Sequence, residues 1–414
     1  MYTKEQILFE YSRVKNYNLQ KIVIKLFLKI IGILIGVTIT PLTLIAHALN
    51  YRYVNIFTER IGHLALEPDC LIKDSILNQR LPLKWVILAP YGKVANSHLL
   101  SYWSTHFIVI RSRVLCYLIY YATLFGIGKI NISSYINSPR GSQLAYAINA
   151  LWDNRPPILS LSEKDLINGH EKLLQLGIPE SAWFICIHAR EGKYSPIDEP
   201  IHQHRNSDIA TYIDAINEII SRGGYVIRVG DRNTKQLPKI MGLIDYANSN
   251  LKSEMLDVFL LANAKFILGD SSGVALISTV FGVPCALVNM TPITSTGILK
   301  KDIVIHKLYF DQNGCKLSLN DLRRINLANA RSSSSYQTQC IEIRDNSPAE
   351  ILRITIEMFN RLENKCNDEP LIDTNVSYLI DGDYSYGTKS WIGEHFLECN
   401  LSVYLQQNNA KQNS

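Results

Sequence analysis

The chain has 414 residues, 47% of them apolar and 19% charged, which gives room for two or three packed domains and excludes wholesale disorder. Gly (22) and Pro (15) are too few for a collagen-like or Pro-rich scaffold, and a net charge of +5 is too small to point to nucleic acid. Eight cysteines stand singly, with no Cys-x-x-Cys, which argues against structural zinc, iron–sulfur centres and a disulfide framework, and for a reducing compartment.

Most of the excess charge sits at the start. Residues 1–29 carry Lys4, Arg13, Lys15, Lys21, Lys25 and Lys29 against Glu5 and Glu10, a local net +4. Ile30–Ala46 then runs 17 residues without a charge, and with its flanks it matches the length needed to cross a hydrocarbon core of about 30 Å. The lysines before it favour a cytoplasmic N-terminus. Residues 1–49 are therefore expected to form a basic arm and a membrane-contacting apolar helix. Three forms stay open: a span, a re-entrant or interfacial hairpin broken at Gly32, Gly36 and Pro41, or a helix packed on the globular body.

From residue 50 short apolar runs alternate with helical segments, which reads as α/β. Strands are expected at Arg52–Phe57, Trp85–Ala89 and Phe107–Ile110, with a helix-like LALEPDCLIKD after His63 and another helix over Ser142–Leu151. Ser162–Leu176 reads as a helix stopped by Gly177, and a domain boundary is placed at residue 178. Beyond it, Trp183–Ile187 is a continuous apolar run of the kind buried on both faces of a parallel sheet. Asn206-Ser207-Asp208 offers helix caps, Gly223-Gly224 stops that helix, and Tyr225–Val229 is the next strand. A short strand near Ile244–Ala247, a Ser253-capped helix and a strand Phe266–Leu268 follow. Gly269–Gly273 leads to a helix ending at Phe281, and Cys285–Val288 is a further strand. This βαβαβ series implies a Rossmann-like half. Ser347-Pro348-Ala349-Glu350 is a capping box, Ser332–Ser335 a surface loop and Gln406–Ser414 a polar tail.

Ligands of such sheets bind beyond the carboxyl ends of the strands, where four polar clusters fall. His188-Ala189-Arg190-Glu191 follows one strand, Gly230-Asp231 follows Arg228 on the next, and Asp270-Ser271-Ser272-Gly273 and Asn289-Met290-Thr291 follow the others. The Asp270–Gly273 loop admits two readings, a helix cap or a diphosphate site formed with the hydroxyls of Ser271 and Ser272 and a close approach at Gly273. Arg190 supplies a planar fork suited to a pyrophosphate, or alternatively pairs with a nearby acid. Arg228 points either into the site or into solvent. His188 is either catalytic or structural, and His202-x-His204 is a weak metal signal. No GxGxxG, GxxxxGK[ST] or GxSxG is present, which lowers the expectation of a nicotinamide or flavin enzyme, a P-loop NTPase and an α/β-hydrolase.

HAREGKY (188–194), RNSDIATYIDAI (205–216), VIRVGD (226–231) and GDSSGVALISTVFGVP (269–284), with the early RIGHLALEPD (60–69), resemble a group of bacterial glycosyltransferases over about residues 55–295. More distantly, His188-x-Arg190 with the later Asp-Ser-Ser is similar to the core and protein O-fucosyltransferases, whose corresponding residues hold a GDP-fucose diphosphate. Glu191 departs from the second Arg common in the core type. The resemblance implies a GT-B-like α/β chain of two facing Rossmann-like domains after the apolar helical segment: an acceptor domain over 50–178, a nucleotide-sugar domain over 179–365, and an extension and tail over 366–414.

The donor would be a GDP- or UDP-linked sugar, bound without a metal or other cofactor by Arg190, Arg228, Gly230, Asp231, Asp270, Ser271, Ser272, Gly273 and Asn289. The acceptor would be a glycan, lipid-linked glycan or protein, with His63, Glu67 or His188 as the catalytic acid–base group. His63 and Glu67 also read as ordinary helix-start residues. The expected place is the cytoplasmic face of the cell membrane, or the cytoplasm. A non-catalytic nucleotide-binding protein and a structural partner in polysaccharide assembly are the alternatives.

Overall fold

A computed structural model describes residues 19–80, 82–123, 127–131, 139–192, 198–232, 234–363 and 378–404. The start of the basic arm (residues 1–18), the end of the HAREGKY motif and the tail 406–414 lie outside the described residues.

In chain order, the first part comprises α1 (Leu19–Ala48), β1 (Tyr51–Asn55), α2 (Ile61–Leu77), β2 (Lys84–Leu88), α3 (Ser97–Trp103), β3 (Ile108–Ile110), α4 (Arg113–Ala122) and β4 (Lys129–Asn131). The four strands pair in parallel in the order β3-β2-β1-β4. Helix α1 continues unbroken through Gly32, Gly36 and Pro41, so the hairpin considered from the sequence does not form. Thr38, Thr40 and Thr43 direct their hydroxyls onto backbone carbonyls of the preceding turn, which lets polar side chains sit in an apolar helix.

The second part continues with α5 (Pro139–Trp152), α6 (Glu163–Gln175), β5 (Phe184–Ile187), α7 (Glu199–His202), α8 (Ile213–Ser221), β6 (Tyr225–Arg228), β7 (Leu243–Ile244), α9 (Glu254–Asn263) and β8 (Ile267–Gly269). Then come α10 (Ala275–Val280), β9 (Cys285–Met290), β10 (Ile303–His306), β11 (Leu308–Phe310), α11 (Leu319–Arg324), α12 (Ser333–Thr338), β12 (Glu342–Arg344), α13 (Pro348–Leu362) and β13 (Trp391–Ile392). Seven of these strands form an all-parallel sheet in the order β13-β10-β9-β8-β5-β6-β7. Every residue of β5, β8, β9 and β10 is buried, as continuous apolar runs require when helices cover both faces. One layer joins α8 to α13, and the other joins α9 to α6 and α10 to α2. The cap Ser162 receives Asp165 N, and Ser347 with Glu350 forms the full capping box. Cys186 and Cys285 are buried within strands, as small apolar residues.

The α/β class and the apolar N-terminal helix are as the sequence implies, while several details differ. Two compact units form, but they do not divide at residue 178: residues 59–80, 95–102 and 133–178 belong with the seven-stranded sheet. Helix α2 lies in the other unit because it is buried from Leu64 to Asp74 against α5 and α10, with its buried charges paired along the helix, as Asp69 is with Lys73 at 2.6 Å. The described part of the extension, residues 378–404, is likewise integral, since β13 hydrogen-bonds to β10 at the sheet edge. Residues 333–338 form a helix with Ser333 buried, not a surface loop.

Candidate functional site

The strand order has a switch point. From β5 the chain adds β6 and β7 on one side, then returns to place β8, β9 and β10 on the other. The connections leaving adjacent β5 and β8 therefore run to opposite sides, and the crevice at such a switch point, beyond the carboxyl ends of the strands, is where doubly wound sheets bind ligands. His188–Glu191 and Asp270–Gly273 are those two loops, and all residues named below lie in the same compact unit.

Asp270 ties the loops together. It is buried, and its Oδ2 accepts Arg190 N and the Ser207 hydroxyl, each at 2.6 Å. Asp270 thus braces the two loops against each other. His188 bridges the same gap: Nδ1 lies 3.1 Å from the Val229 carbonyl and Nε2 3.0 Å from the Ser272 hydroxyl. A carbonyl only accepts, so Nδ1 carries a proton, and in that tautomer of the imidazole Nε2 accepts from Ser272. Gly230 fits beneath this ring because its φ of +140° suits glycine alone and a Cβ there would stand 3.2 Å from Nδ1.

The Asp270–Gly273 loop does not open directly into a helix. Helix α10 begins at Ala275 and has six residues, with bends and turns over 271–274. The expected N-terminal anion site therefore gives way to a loop site. Ser271 Oγ donates to the Thr291 carbonyl, and the Ser271 carbonyl accepts Arg205. Gly273 packs against α2: a Cβ added there would lie 3.0 Å from Gly62 N and 3.1 Å from Gly62 Cα. Since both neighbours are backbone, Gly273→Ala should cost about 1–2 kcal/mol in urea unfolding through overpacking alone.

Residue 62 precedes His63, so this packing sets the start of α2 beside the loop. His63 Nδ1 is 2.7 Å from Glu67 Oε1, one helical turn on, with Glu67 fully buried and the His63 side chain 16% exposed. The pair forms a carboxylate–histidine dyad in which the acid fixes the tautomer of the ring. Sequence reasoning had assigned both residues to the other domain.

The cations sort differently from expectation. Arg228 is buried, with its guanidinium engaged by Glu191 at 2.7 Å and by the Lys235 carbonyl, which removes it from the donor set. The same contact explains Glu191, whose other oxygen accepts Lys235 N. Asn289 is also withdrawn: it is buried inside β9 and exchanges two backbone–side-chain hydrogen bonds with Asn346. Asp231 is exposed beyond β6. Arg190 reaches the crevice through its backbone, but its guanidinium turns to Asn206, the His202 carbonyl and Glu199.

Arg205 is the residue the sequence reading passed over. Its Nε and Nη2 both donate to the Ser271 carbonyl, and among the described residues no carboxylate stands within ion-pair distance of it. Burial, then the Arg190 and Arg331 guanidinium groups, lower its pKa to about 10. A half-buried guanidinium crowded by two others, with only the Asp270 carboxylate nearby to offset them, is a site short of negative charge. The signal lay in RNSD, which reads as a helix cap and as part of the resemblance, with no donor role for its arginine.

His202 and His204 adjoin the same cations. Burial, then Arg205, hold His202 at about 4 and His204 at about 3, so both are neutral at pH 7. Their folded values lie below the unfolded 6.5, so the stability they contribute is present above pH 6.5 and falls as the pH drops toward about 4. Urea melts should weaken across that window, and a bound diphosphate should blunt the loss by offsetting the arginines. Neither ring joins a metal cluster: among the described residues no group of three His, Cys, Asp or Glu is placed to hold an ion.

No protein-family model and no curated protein matches the chain. Among solved structures it is similar to a glycosyl transferase family 9 protein from Veillonella parvula, with 11% identity, covering 75% of this chain and 80% of that one, TM-score 0.35. It is also similar to the E. coli ADP-heptose LPS heptosyltransferase II, with 14% identity, 76% and 100% coverage, TM-score 0.39. A third likeness is to the iron-containing dodecameric glycosyltransferase TibC of enterotoxigenic E. coli, with 12% identity, 76% and 76% coverage, TM-score 0.39. These neighbours are glycosyltransferases, and at such identities no residue role or substrate passes from them to this chain. The likeness to O-fucosyltransferases finds no support in them.

Proposed function

We propose that the chain is a glycosyltransferase taking a sugar from a nucleoside-diphosphate donor, GDP- or UDP-linked, to a hydroxyl of a glycan, lipid-linked glycan or protein acceptor. The observation that carries this reading is Arg205, a guanidinium with no carboxylate partner among the described residues, held on the Ser271 carbonyl at the β5/β8 switch point. A diphosphate there supplies the missing charge. Its leaving oxygen takes the electron pair of the breaking C1–O bond while the Arg205 guanidinium stabilises it. The acceptor oxygen forms the new bond to C1, and its proton passes to His63, with Glu67 as the positioning residue. The guanidinium groups provide positive charge at the leaving group, so the reading invokes no metal.

Thermal shifts with UDP, GDP, ADP, CMP and dTDP, followed by hydrolysis assays on the matching nucleotide sugars, test the proposal. A stabilising nucleotide with turnover supports it. Stabilisation without turnover makes the chain a nucleotide-binding protein, and no response from any nucleotide removes the reading.

A further inference from the structure

Helix α1 shows two different faces. Phe27, Ile30, Leu34, Val37 and Ile45 recur at helical spacing and are each half-exposed or more, which leaves an apolar stripe uncovered along its length. The opposite side is occupied. A Cβ at Gly32 would stand 2.6 Å from the Tyr121 ring and one at Gly36 2.5 Å from the Tyr121 carbonyl, so α4 lies directly on the two glycines. The Tyr117 hydroxyl of α4 donates to the Leu28 carbonyl. Gly32-x-x-x-Gly36 is thus already filled from within the chain, and α4 itself turns Val114 and Leu115 outward.

That contact decides between two placements. Leu26–Ala48 is long and apolar enough to cross a bilayer. If it crossed, the Leu28–Gly36 zone would lie in hydrocarbon and carry α4 with it. Helix α4 is anchored to the sheet: Ser112 caps it, and the Arg113 guanidinium donates to the Tyr91 carbonyl beside the edge strand β3. Arg113 and an open sheet edge would then enter the apolar layer, where charges and unpaired backbone are strongly disfavoured.

Lying flat avoids this. The α1 stripe faces the acyl chains, and the flanking groups reach the headgroups. At the C-terminal end of α1, Lys84 sits over Tyr51 and Lys129 over Tyr53 and Tyr120, a basic and aromatic rim suited to an anionic interface.

We propose that α1 and α4 together form one monotopic surface that rests in a single leaflet of an anionic bilayer. This inference is independent of the glycosyltransferase reading, and its test uses no nucleotide. The full chain should float with phosphatidylcholine vesicles containing phosphatidylglycerol and much less with phosphatidylcholine alone. Leu34→Glu on α1 and Leu115→Glu on α4 should each weaken flotation about tenfold or more with an unchanged circular-dichroism melt, because bound area sets the affinity. Tags at the two chain ends should be cleaved from the same side of sealed membrane vesicles. Tags on opposite sides, flotation insensitive to Leu115→Glu, or a chain that never floats would each overturn the proposal.

Discussion

Asp270→Ala should lower stability by roughly 3–5 kcal/mol, the scale of two charge-assisted hydrogen bonds whose buried donors are left unmade. The donors are Arg190 N and the Ser207 hydroxyl, both on one carboxylate oxygen. Asp270→Asn separates structure from charge, because its amide oxygen can keep both bonds while the negative charge beside Arg205 disappears. Its unfolding free energy should fall by only about 1 kcal/mol. Nucleotide affinity in the folded Asn variant should hold or rise, since removing a carboxylate near a diphosphate removes repulsion. A loss of affinity at unchanged stability would instead give Asp270 a direct contact to the donor.

Arg205→Ala should weaken nucleoside-diphosphate binding by about 1.5–3 kcal/mol, roughly 10- to 150-fold. Arg205→Lys should recover part of this, because charge remains while the planar fork is lost. Melting temperature without ligand should stay level or rise, since removing Arg205 relieves repulsion from Arg190 and Arg331. Arg190 should behave in the opposite way. Its guanidinium holds Asn206, the His202 carbonyl and Glu199, so Arg190→Ala should chiefly lower stability. Equal affinity in wild type and Arg205→Ala would show that this guanidinium serves the fold alone.

The sequence exposed what periodicity and stop signals encode. WFICI and CALV are strands because unbroken apolar runs between glycine and polar stops leave little else, YVIRV follows the same pattern with one buried arginine, and the capping box at Ser347 forms as written. The crevice was legible as well, through strand ends at His188 and Asp270. Side-chain direction was not. Arg190 and Arg205 both lie beside the crevice, and only tertiary contacts reveal that Arg190 turns to Asn206 while Arg205 turns to Ser271. Arg228 reads as a strand residue with two possible faces, and its ion pair with Glu191 settles which one it takes. The membership of α2 was hidden for a related reason. Its His63 and Glu67 stand more than a hundred residues before β5, yet the glycine contact between residues 62 and 273 brings them to the same unit. Close approach of two glycines leaves no local pattern to read.

The central claim is that the β5/β8 crevice binds a nucleoside diphosphate through Arg205. Isothermal titration of wild type and Arg205→Ala with the nucleotide giving the largest thermal shift tests it most directly, at one fixed salt concentration. The account predicts saturable one-to-one binding to wild type and at least about tenfold weaker binding to the variant, with both proteins melting at the same temperature or the variant slightly higher. Binding of equal strength to both proteins, or no binding to wild type by any of the five nucleotides, would contradict it.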